Sequence, residues 1–234
     1  VTSGNIYGSD QLLFKNARYE GDKNFTPISR WTNAPMLLAV NKNLPFNSTK
    51  DLIDYAKKNP DKLTYSSSGV GVITHLAGLS FENAAGLKMQ HIPYKGGAPS
   101  LQAVAAGDVG LTFGTPPSVL PLAQGGRLKV LSVTTAQRSA LFPELASMSD
   151  AGLKDYDFTF WFGLFGPAGL PAEVAQKLFD ASVAALNDPQ VKEKLEKSGN
   201  SAAPSKSLVE FRQWAVLEGQ KYKTLTEKSG ATSE

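Results

Sequence analysis

The sequence predicts an α/β fold, because short apolar segments of strand character alternate with amphipathic helical segments along most of the chain. Glycine, proline, asparagine or serine marks most junctions between these segments, as expected where the chain turns. The composition agrees with a globular protein, since 41% of the 234 residues are hydrophobic and 19% are charged. A chain of this length can bury a substantial core, as one large domain or two small ones.

The first part of the chain carries the clearest alternation. Short apolar or alternating runs predict strands at 36–40, 63–67, 88–93, 109–113 and 128–134. Helical patterns lie between them, beginning near Ser48, Ile73, Pro99 and Pro116 and ending near Pro60, Gly86, Gly107 and Gly125. The first of these helices opens on Ser48-Thr49-Lys50-Asp51, which resembles a capping box with Asp in place of the usual Glu.

The character of the sequence changes after about Ala151. An aromatic run at 158–165 is typical of a fully buried strand, with stacking on a ligand as the alternative for Trp161 and Phe162. Three helical segments follow, opened by Pro171, by Asp188-Pro189 and by the capping box Ser207-x-x-Glu210.

Composition excludes several classes of site. The chain has no Cys and only two His, so disulfides, thiolate zinc sites, cysteine nucleophiles and multi-histidine metal sites are ruled out, and no cofactor is expected. The formal charge of +3 is small and spread along the chain, which argues against a nucleic-acid partner. No apolar run approaches the roughly 18 residues of a membrane-spanning helix, so direct membrane insertion is not expected.

The Ser- and Gly-rich segment at 66–71 connects a predicted strand to a predicted helix. A helix N-terminus presents unpaired backbone N–H groups and the positive end of the helix dipole, so this junction suits a carboxylate or phosphate. Gly69 and Gly71 allow a ligand to approach the backbone closely. The alternative is an ordinary turn in which a serine caps the helix. His75, in the first helical turn, is expected to be neutral and to support the loop rather than act as a general base.

Two further loops follow predicted strands. Tyr94-Lys95-Gly96-Gly97 lacks the full phosphate-binding pattern of a P-loop and is predicted to be a surface turn. Gly114-Thr115-Pro116-Pro117-Ser118 is either an ordinary Pro-initiated helix start or part of a site. In an open α/β sheet, ligands bind beyond the carboxyl ends of the strands, so a site there would share one cleft with the segment 66–71.

Six blocks of the sequence resemble one known family in their order and spacing. They are Ser-Ser-Gly-Val-Gly-x-x-x-His-Leu-Ala-Gly at 67–78, Ile-Pro-Tyr-Lys-Gly-Gly-Ala-Pro at 92–99, Ala-Ala-Gly-Asp-Val at 105–109, Pro-Pro-Ser at 116–118, Gly-Arg-Leu-Lys-Val-Leu-Ser-Val-Thr at 126–134 and Trp-Phe-Gly-Leu-Phe-Gly-Pro-Ala-Gly at 161–169. This series is similar to the Bug-type periplasmic solute receptors, the extracytoplasmic binding components of tripartite tricarboxylate transporters. The resemblance covers nearly the whole chain.

The resemblance implies a two-lobed periplasmic-binding-protein (Venus-flytrap) fold with a central sheet in each lobe. Residues 1–35 and 163–234 are expected to form the first lobe and residues 41–157 the second, with crossings near 36–40 and 158–162. The family's opening strand–loop–helix is absent, so the first lobe is expected to be incomplete. Because Val1 is not preceded by a Met or a leader, either a leader was removed or the chain begins inside a longer protein.

The family binds small carboxylates in the cleft between the lobes, largely through backbone N–H groups, hydroxyls and ordered water, without a metal. The resemblance implies partners among membrane transporter subunits or a sensor kinase, a periplasmic location after leader removal, and a monomer. It assigns ligand contacts to three segments of this chain: Ser3, Gly4 and Asn5; Ser67, Ser68, Gly69, Gly71, Val72, Ile73 and His75; and Gly114 and Thr115.

Two segments depart from the family's pattern. Val72 and Ile73 stand where hydroxyl residues are common, and Gly114-Thr115 stands where an acidic residue is common. The lost acidic side chain argues against an amino-acid ligand, and the apolar pair favours an aromatic or weakly polar carboxylate. The sequence therefore predicts a non-enzymatic receptor for a small organic carboxylate. The alternatives are an enzyme on the same fold with His75 as general base, and a cytoplasmic effector domain of a regulator.

Overall fold

The computed structural model describes residues 1–13 and 17–228, and only the backbone of residues 3–5. The chain divides into two compact units, one formed by Val1–Ala34 with Phe160–Glu234 and the other by Pro35–Thr159. Each unit contains its own sheet flanked by helices, which confirms the predicted α/β fold with a sheet in each half. Within the described ranges, no helix is long and apolar enough to cross a membrane.

The elements follow one another in a regular alternation through the second unit. In chain order they are β1 (Thr2–Ser3), a 3₁₀ turn (Gly4–Tyr7), α1 (Asp10–Leu13), α2 (Gly21–Asn24), β2 (Phe25–Pro35), β3 (Leu37–Asn41), α3 (Thr49–Lys58), β4 (Thr64–Ser67), α4 (Ile73–Ala85), β5 (Gln90–Pro93), α5 (Gly97–Ala106), β6 (Leu111–Gly114), α6 (Pro116–Gln124), β7 (Leu128–Val133), a 3₁₀ turn (Ser149–Ala151), β8 (Thr159–Pro167), α7 (Ala172–Asn187), α8 (Pro189–Lys197), β9 (Ser201–Ala202) and α9 (Leu208–Lys228).

The sheet of the second unit has the strand order β5-β4-β6-β3-β7. Strand β4 runs parallel to β5 and β6, whereas β3 is antiparallel to both of its neighbours, β6 and β7. The carboxyl ends of β4, β5, β6 and β7 therefore lie at one edge of the sheet, where β3 begins. The candidate segments 68–72, 94–96 and 114–115 all follow or close strands at this edge.

Helices α4 and α6 pack on opposite faces of this sheet. Leu37 of β3 shares a hydrophobic cluster with Val119 of α6. The next residue, Leu38, points to the other face and is paired with Phe113, whose ring lies 5.5 Å from that of Phe81 in α4. The adjacent strands β4 and β6 thus send the chain to opposite faces, an arrangement that opens a ligand crevice between their carboxyl ends.

The first unit has the strand order β1-β8-β2-β9, with β1 antiparallel to β8 and β9 antiparallel to β2. Its centre is the aromatic run. Trp161 is fully buried, with ring centroids 5.9 Å from Phe211 and 4.8 Å from Trp214 of α9. The buried-strand interpretation therefore holds for Trp161, whereas the neighbouring Phe162 is 42% exposed.

Several local predictions can be compared with the structure directly. Ser48 caps α3 by accepting the N–H of Asp51, whose carboxylate accepts the N–H of Asn47 at 3.0 Å, so Asp does replace Glu in this capping box. Helix α5 begins at Gly97 rather than Pro99. Strand β3 is paired on both sides within the second sheet, and the second unit starts at Pro35, while the crossings near 36–40 and 158–162 stay predictions.

Candidate functional site

Residues 67–72, the β4–α4 loop, follow a path that only glycine adopts easily. Gly69 has φ of 147° and Gly71 has φ of 72°, values at which a Cβ would crowd the backbone. The backbone path of the loop therefore requires glycine at both positions, whether or not either residue contacts a ligand.

The amide groups of this loop are largely used inside the protein. Ser68 N–H donates to Thr74 Oγ1 at 2.9 Å, and Gly69 N–H donates to Ser67 Oγ at 3.2 Å. Gly71 N–H donates to His75 Nδ1 at 2.8 Å. The two glycine N–H groups, which the sequence suggested as ligand contacts, therefore have protein acceptors in this structure.

The open donors lie at the start of α4. Val72 is the N-cap residue, and its apolar side chain provides no capping hydrogen bond. A helix leaves its first N–H groups without an intrahelical acceptor. In the described part of the chain, the backbone N–H groups of Val72, Ile73 and Thr74 have no protein acceptor. The positive end of the helix dipole lies at the same place. This helix start is therefore where the loop has open backbone donors, as an anion site would require.

Two histidine rings stack beneath the loop. His75 is 4% exposed, and its ring centroid lies 3.8 Å from that of His91 in β5, with an angle of 7° between the planes. His91 Nε2 lies 2.6 Å from Ser67 Oγ. Tyr65 of β4 contacts the pair, with a centroid separation of 4.9 Å from His91. Sequence reasoning missed His91 because only the pairing of β4 with β5 brings it under the loop.

Both histidines are neutral at pH 7. Burial lowers the pKa of His75 to about 3, with the neighbouring His91 as a second cause, and burial lowers the pKa of His91 to about 4. The neutral state and the supporting role predicted for His75 agree with this geometry. Because its Nδ1 already accepts the N–H of Gly71 and its ring is buried, the structure gives no support to His75 as a general base.

The junction of β6 and α6 lies beside the β4–α4 loop. Ser66 is paired with Thr112, which places Ser68 level with Gly114 at the ends of adjacent parallel strands. Gly114 is buried, and a Cβ there would lie 2.5 Å from Val119 Cγ2. The structure thus brings together two of the three segments in which ligand contacts are predicted.

The turn at 94–96 packs against the same loop. Tyr94 N–H donates to Ser67 O at 3.0 Å and Gly96 N–H donates to Ser68 O at 3.2 Å. Lys95, at the tip of the turn, is exposed. The turn is therefore at the surface, as predicted, but it also fixes the outer side of the β4–α4 loop.

The third predicted segment lies in the first unit. Ser3 ends β1, paired with Phe162, and Gly4 and Asn5 open the 3₁₀ turn that follows. The side chains of these three residues lie outside what the structure describes, so their contacts with a ligand stay a prediction.

Comparison with known proteins gives consistent matches along the chain. The model of the tripartite tricarboxylate transporter family receptor, TctC, matches residues 5–230. A UPF0065 protein from the gbd 5' region of Cupriavidus necator is 34% identical over 193 residues, which cover 82% of this chain and 58% of the relative. Protein BugT of Bordetella pertussis is 26% identical over 198 residues, which cover 85% of this chain and 56% of BugT. The chain thus spans little more than half the length of these curated relatives.

Solved structures share the fold over its full extent. R. palustris Rpa4515 with adipate superimposes with a TM-score of 0.87 and 30% identity, covering 100% of this chain and 78% of the other. The periplasmic binding protein BugD gives a TM-score of 0.80 and 26% identity, covering 99% of this chain and 78% of BugD. Because the family model matches nearly the whole of this chain, the chain belongs to the tripartite tricarboxylate transporter receptor (TctC) family.

Proposed function

We propose that this protein is an extracytoplasmic receptor that binds a small organic carboxylate without transforming it. The observation that carries the proposal is the start of α4, where the N–H groups of Val72, Ile73 and Thr74 are open at the carboxyl end of β4. Its partners are then the membrane subunits of a tripartite transporter or a sensor kinase. Membership of a receptor family supports this function over the enzyme and the cytoplasmic regulator.

The residues around the open donors favour a weakly polar ligand. Val72 and Ile73 border the helix start with aliphatic side chains, and Gly114 at the neighbouring strand end offers no polar group. The carboxylate is bound by backbone N–H groups, while the rest of the ligand meets an apolar rim. The related Rpa4515 has been solved with adipate, whose two carboxylates are separated by methylene groups. An alkyl or aromatic carboxylate therefore suits this site better than a tricarboxylate.

Titration calorimetry with adipate, benzoate, malate and citrate tests the ligand class. We expect adipate or benzoate to bind at least tenfold more tightly than citrate, a difference of about 1.4 kcal/mol in binding free energy. Tight binding of citrate, with neither adipate nor benzoate bound, would contradict the proposal of a weakly polar ligand.

Substitution of the N-cap residue tests the position of the site. Val72 already has the extended backbone of an N-cap, so the carboxylate of Val72→Asp can accept the N–H of Thr74, one of the groups that the ligand is proposed to use, and it places a negative charge beside the others. We expect unchanged or higher thermal stability and at least a 30-fold loss of affinity, about 2 kcal/mol. Val72→Asn is the matched control, because it caps the helix without adding charge and should weaken binding less. Equal affinity of both variants and the wild type would remove α4 as the carboxylate site.

A further inference from the structure

We propose that His91 is a positioning residue for the β4–α4 loop: stacked on His75 and bonded to Ser67, it holds the loop in the form that presents the start of α4 to the carboxylate. No ligand contact is predicted for His91, and its half-buried ring contacts Ser67 of the loop and the ring of His75. The inference rests on the proposed function for its ligand, but the geometry of the loop is measurable without one.

The hydrogen bonds around Ser67 point to one tautomer of His91. Ser67 Oγ–H donates to Gly69 O at 2.8 Å, so its single hydroxyl proton is already used. With the Ser67 proton on Gly69 O, the contact of 2.6 Å between Ser67 Oγ and His91 Nε2 is a hydrogen bond that the imidazole N–H donates. A chain of donors runs from His91 through Ser67 to Gly69.

The second ring holds the other end of the loop. His75 Nδ1 accepts the N–H of Gly71, so this nitrogen carries no proton and the neutral ring carries its proton on Nε2. The two rings are stacked with centroids 3.8 Å apart, so each limits the movement of the other. Gly69 and Gly71 are consequently tied to one stacked pair.

These contacts matter because glycine has more backbone conformational freedom than any other residue. A loop that turns on Gly69 and Gly71 would otherwise populate many conformations, and ligand binding would have to order it. A loop held before binding avoids that cost, which is the basis of tight binding by preorganised sites. The ring of Tyr65, which contacts His91 and is 1% exposed, joins the pair to the core.

Two substitutions of His91 separate the hydrogen bond from the stack. His91→Phe keeps a flat ring against His75 but has no donor for Ser67. His91→Gln loses the ring but places an amide N–H near the position of Nε2. In the ligand-free protein, we expect amide hydrogen exchange of Gly69 to accelerate at least tenfold in the Phe variant and to return towards the wild-type rate in the Gln variant. Equal rates in the wild type and the Phe variant, or equal acceleration in both variants, would overturn the positioning role.

A measurement on the wild type covers the case in which a variant does not fold. Nitrogen-15 chemical shifts of the imidazole report the tautomer, and we expect His91 to be protonated at Nε2 at pH 7. Protonation at Nδ1 alone would overturn the proposal, because His91 would then accept from Ser67 and the donor chain to Gly69 would be broken.

Binding of adipate, used as the probe, links the loop to the ligand. We expect at least a fivefold loss of affinity in His91→Phe and partial recovery in His91→Gln. If exchange and tautomer agree with expectation but the wild type binds no adipate, the ligand class fails and the positioning role stands. If the wild type binds adipate and Gly69 exchanges equally fast in the wild type and the Phe variant, the positioning role fails alone.

Discussion

The β4–α4 loop and the β6–α6 junction end adjacent parallel strands, yet their backbones are held by different means. In the β4–α4 loop, the side chains of Ser67, Thr74 and His75 accept N–H groups of the loop itself. The β6–α6 junction relies on close packing of Gly114 against Val119. Buried side-chain hydrogen bonds therefore hold the first segment, whereas close packing contributes more to the second.

The starts of the two helices differ in how many backbone N–H groups they leave open. Helix α6 begins with Pro116 and Pro117, which have no N–H, and the next two N–H groups, of Ser118 and Val119, donate to Thr115 O. Helix α4 begins with Val72 as N-cap and keeps its first donors open. The same topology thus produces two helix starts at one crevice, of which that of α4 keeps more backbone donors open for the proposed carboxylate.

Acid should act on the β4–α4 loop and not on the β6–α6 junction, because residues 114–118 contain no titratable side chain. The ordinary pKa of histidine, 6.5, is lowered in the fold to about 3 for His75 and about 4 for His91. The unfolded chain therefore binds more protons between these values, so stability is complete above about pH 6.5 and falls as the pH decreases towards 4. Tyr65, the titratable residue in ring contact with both, stays uncharged because burial raises its pKa.

The expected loss of unfolding free energy is about 2 kcal/mol for each ring at pH 5 relative to pH 7.5. Urea unfolding at several pH values measures it. His91→Phe removes one titrating ring, so its unfolding free energy should fall about half as far across this interval. A wild-type protein with equal stability at pH 5 and pH 7.5 would contradict neutral, buried imidazoles.

A methyl group added at Gly78 should disturb the packing of Tyr65, whose ring contacts both histidines. Gly78 of α4 lies against Tyr65, and a Cβ there would be 2.8 Å from Cδ2 and from Cζ of the ring and closer still to Cε2. We expect Gly78→Ala to lower the unfolding free energy by about 2 kcal/mol, because overpacking exceeds the gain of up to about 1 kcal/mol in helix propensity. Displacement of Tyr65 should also shift the NMR signals of His91.

Gly97→Ala is the matched control, because a Cβ on Gly97 in α5 would meet no atom within 4 Å. This variant should be neutral or more stable than the wild type by up to about 1 kcal/mol. Equal stability of the Gly78 and Gly97 variants would mean that the contact with Tyr65 relaxes freely and does not support the stack.

The sequence predicts the elements of the second unit well and the chemistry of its loop only in part. Ile73–Ala85 and Pro116–Gln124 form helices with the predicted bounds, because periodicity and the flanking Gly and Pro are local signals. The antiparallel direction of β3 and the pairing of β4 with β5 depend on contacts distant in sequence, and so does the stack of His91 on His75. The strand–loop–helix order predicts an anion site at this junction, whereas the acceptors of the glycine N–H groups could be found only from the three-dimensional structure.

The smallest expected effects on stability and binding come from removing one hydroxyl group in each of the two segments. Ser67→Ala removes a buried oxygen that accepts the N–H of Gly69 and contacts His91, so we expect a loss of about 1–2 kcal/mol in unfolding free energy and weaker binding of adipate. Ser118→Ala removes the partner of Thr115, an exposed hydroxyl pair at 2.9 Å that water can replace. Its effect should stay within about 0.5 kcal/mol, with unchanged affinity. Urea unfolding and calorimetry of the two variants in parallel measure the difference, and equal effects would mean that both segments depend on their hydroxyls alike.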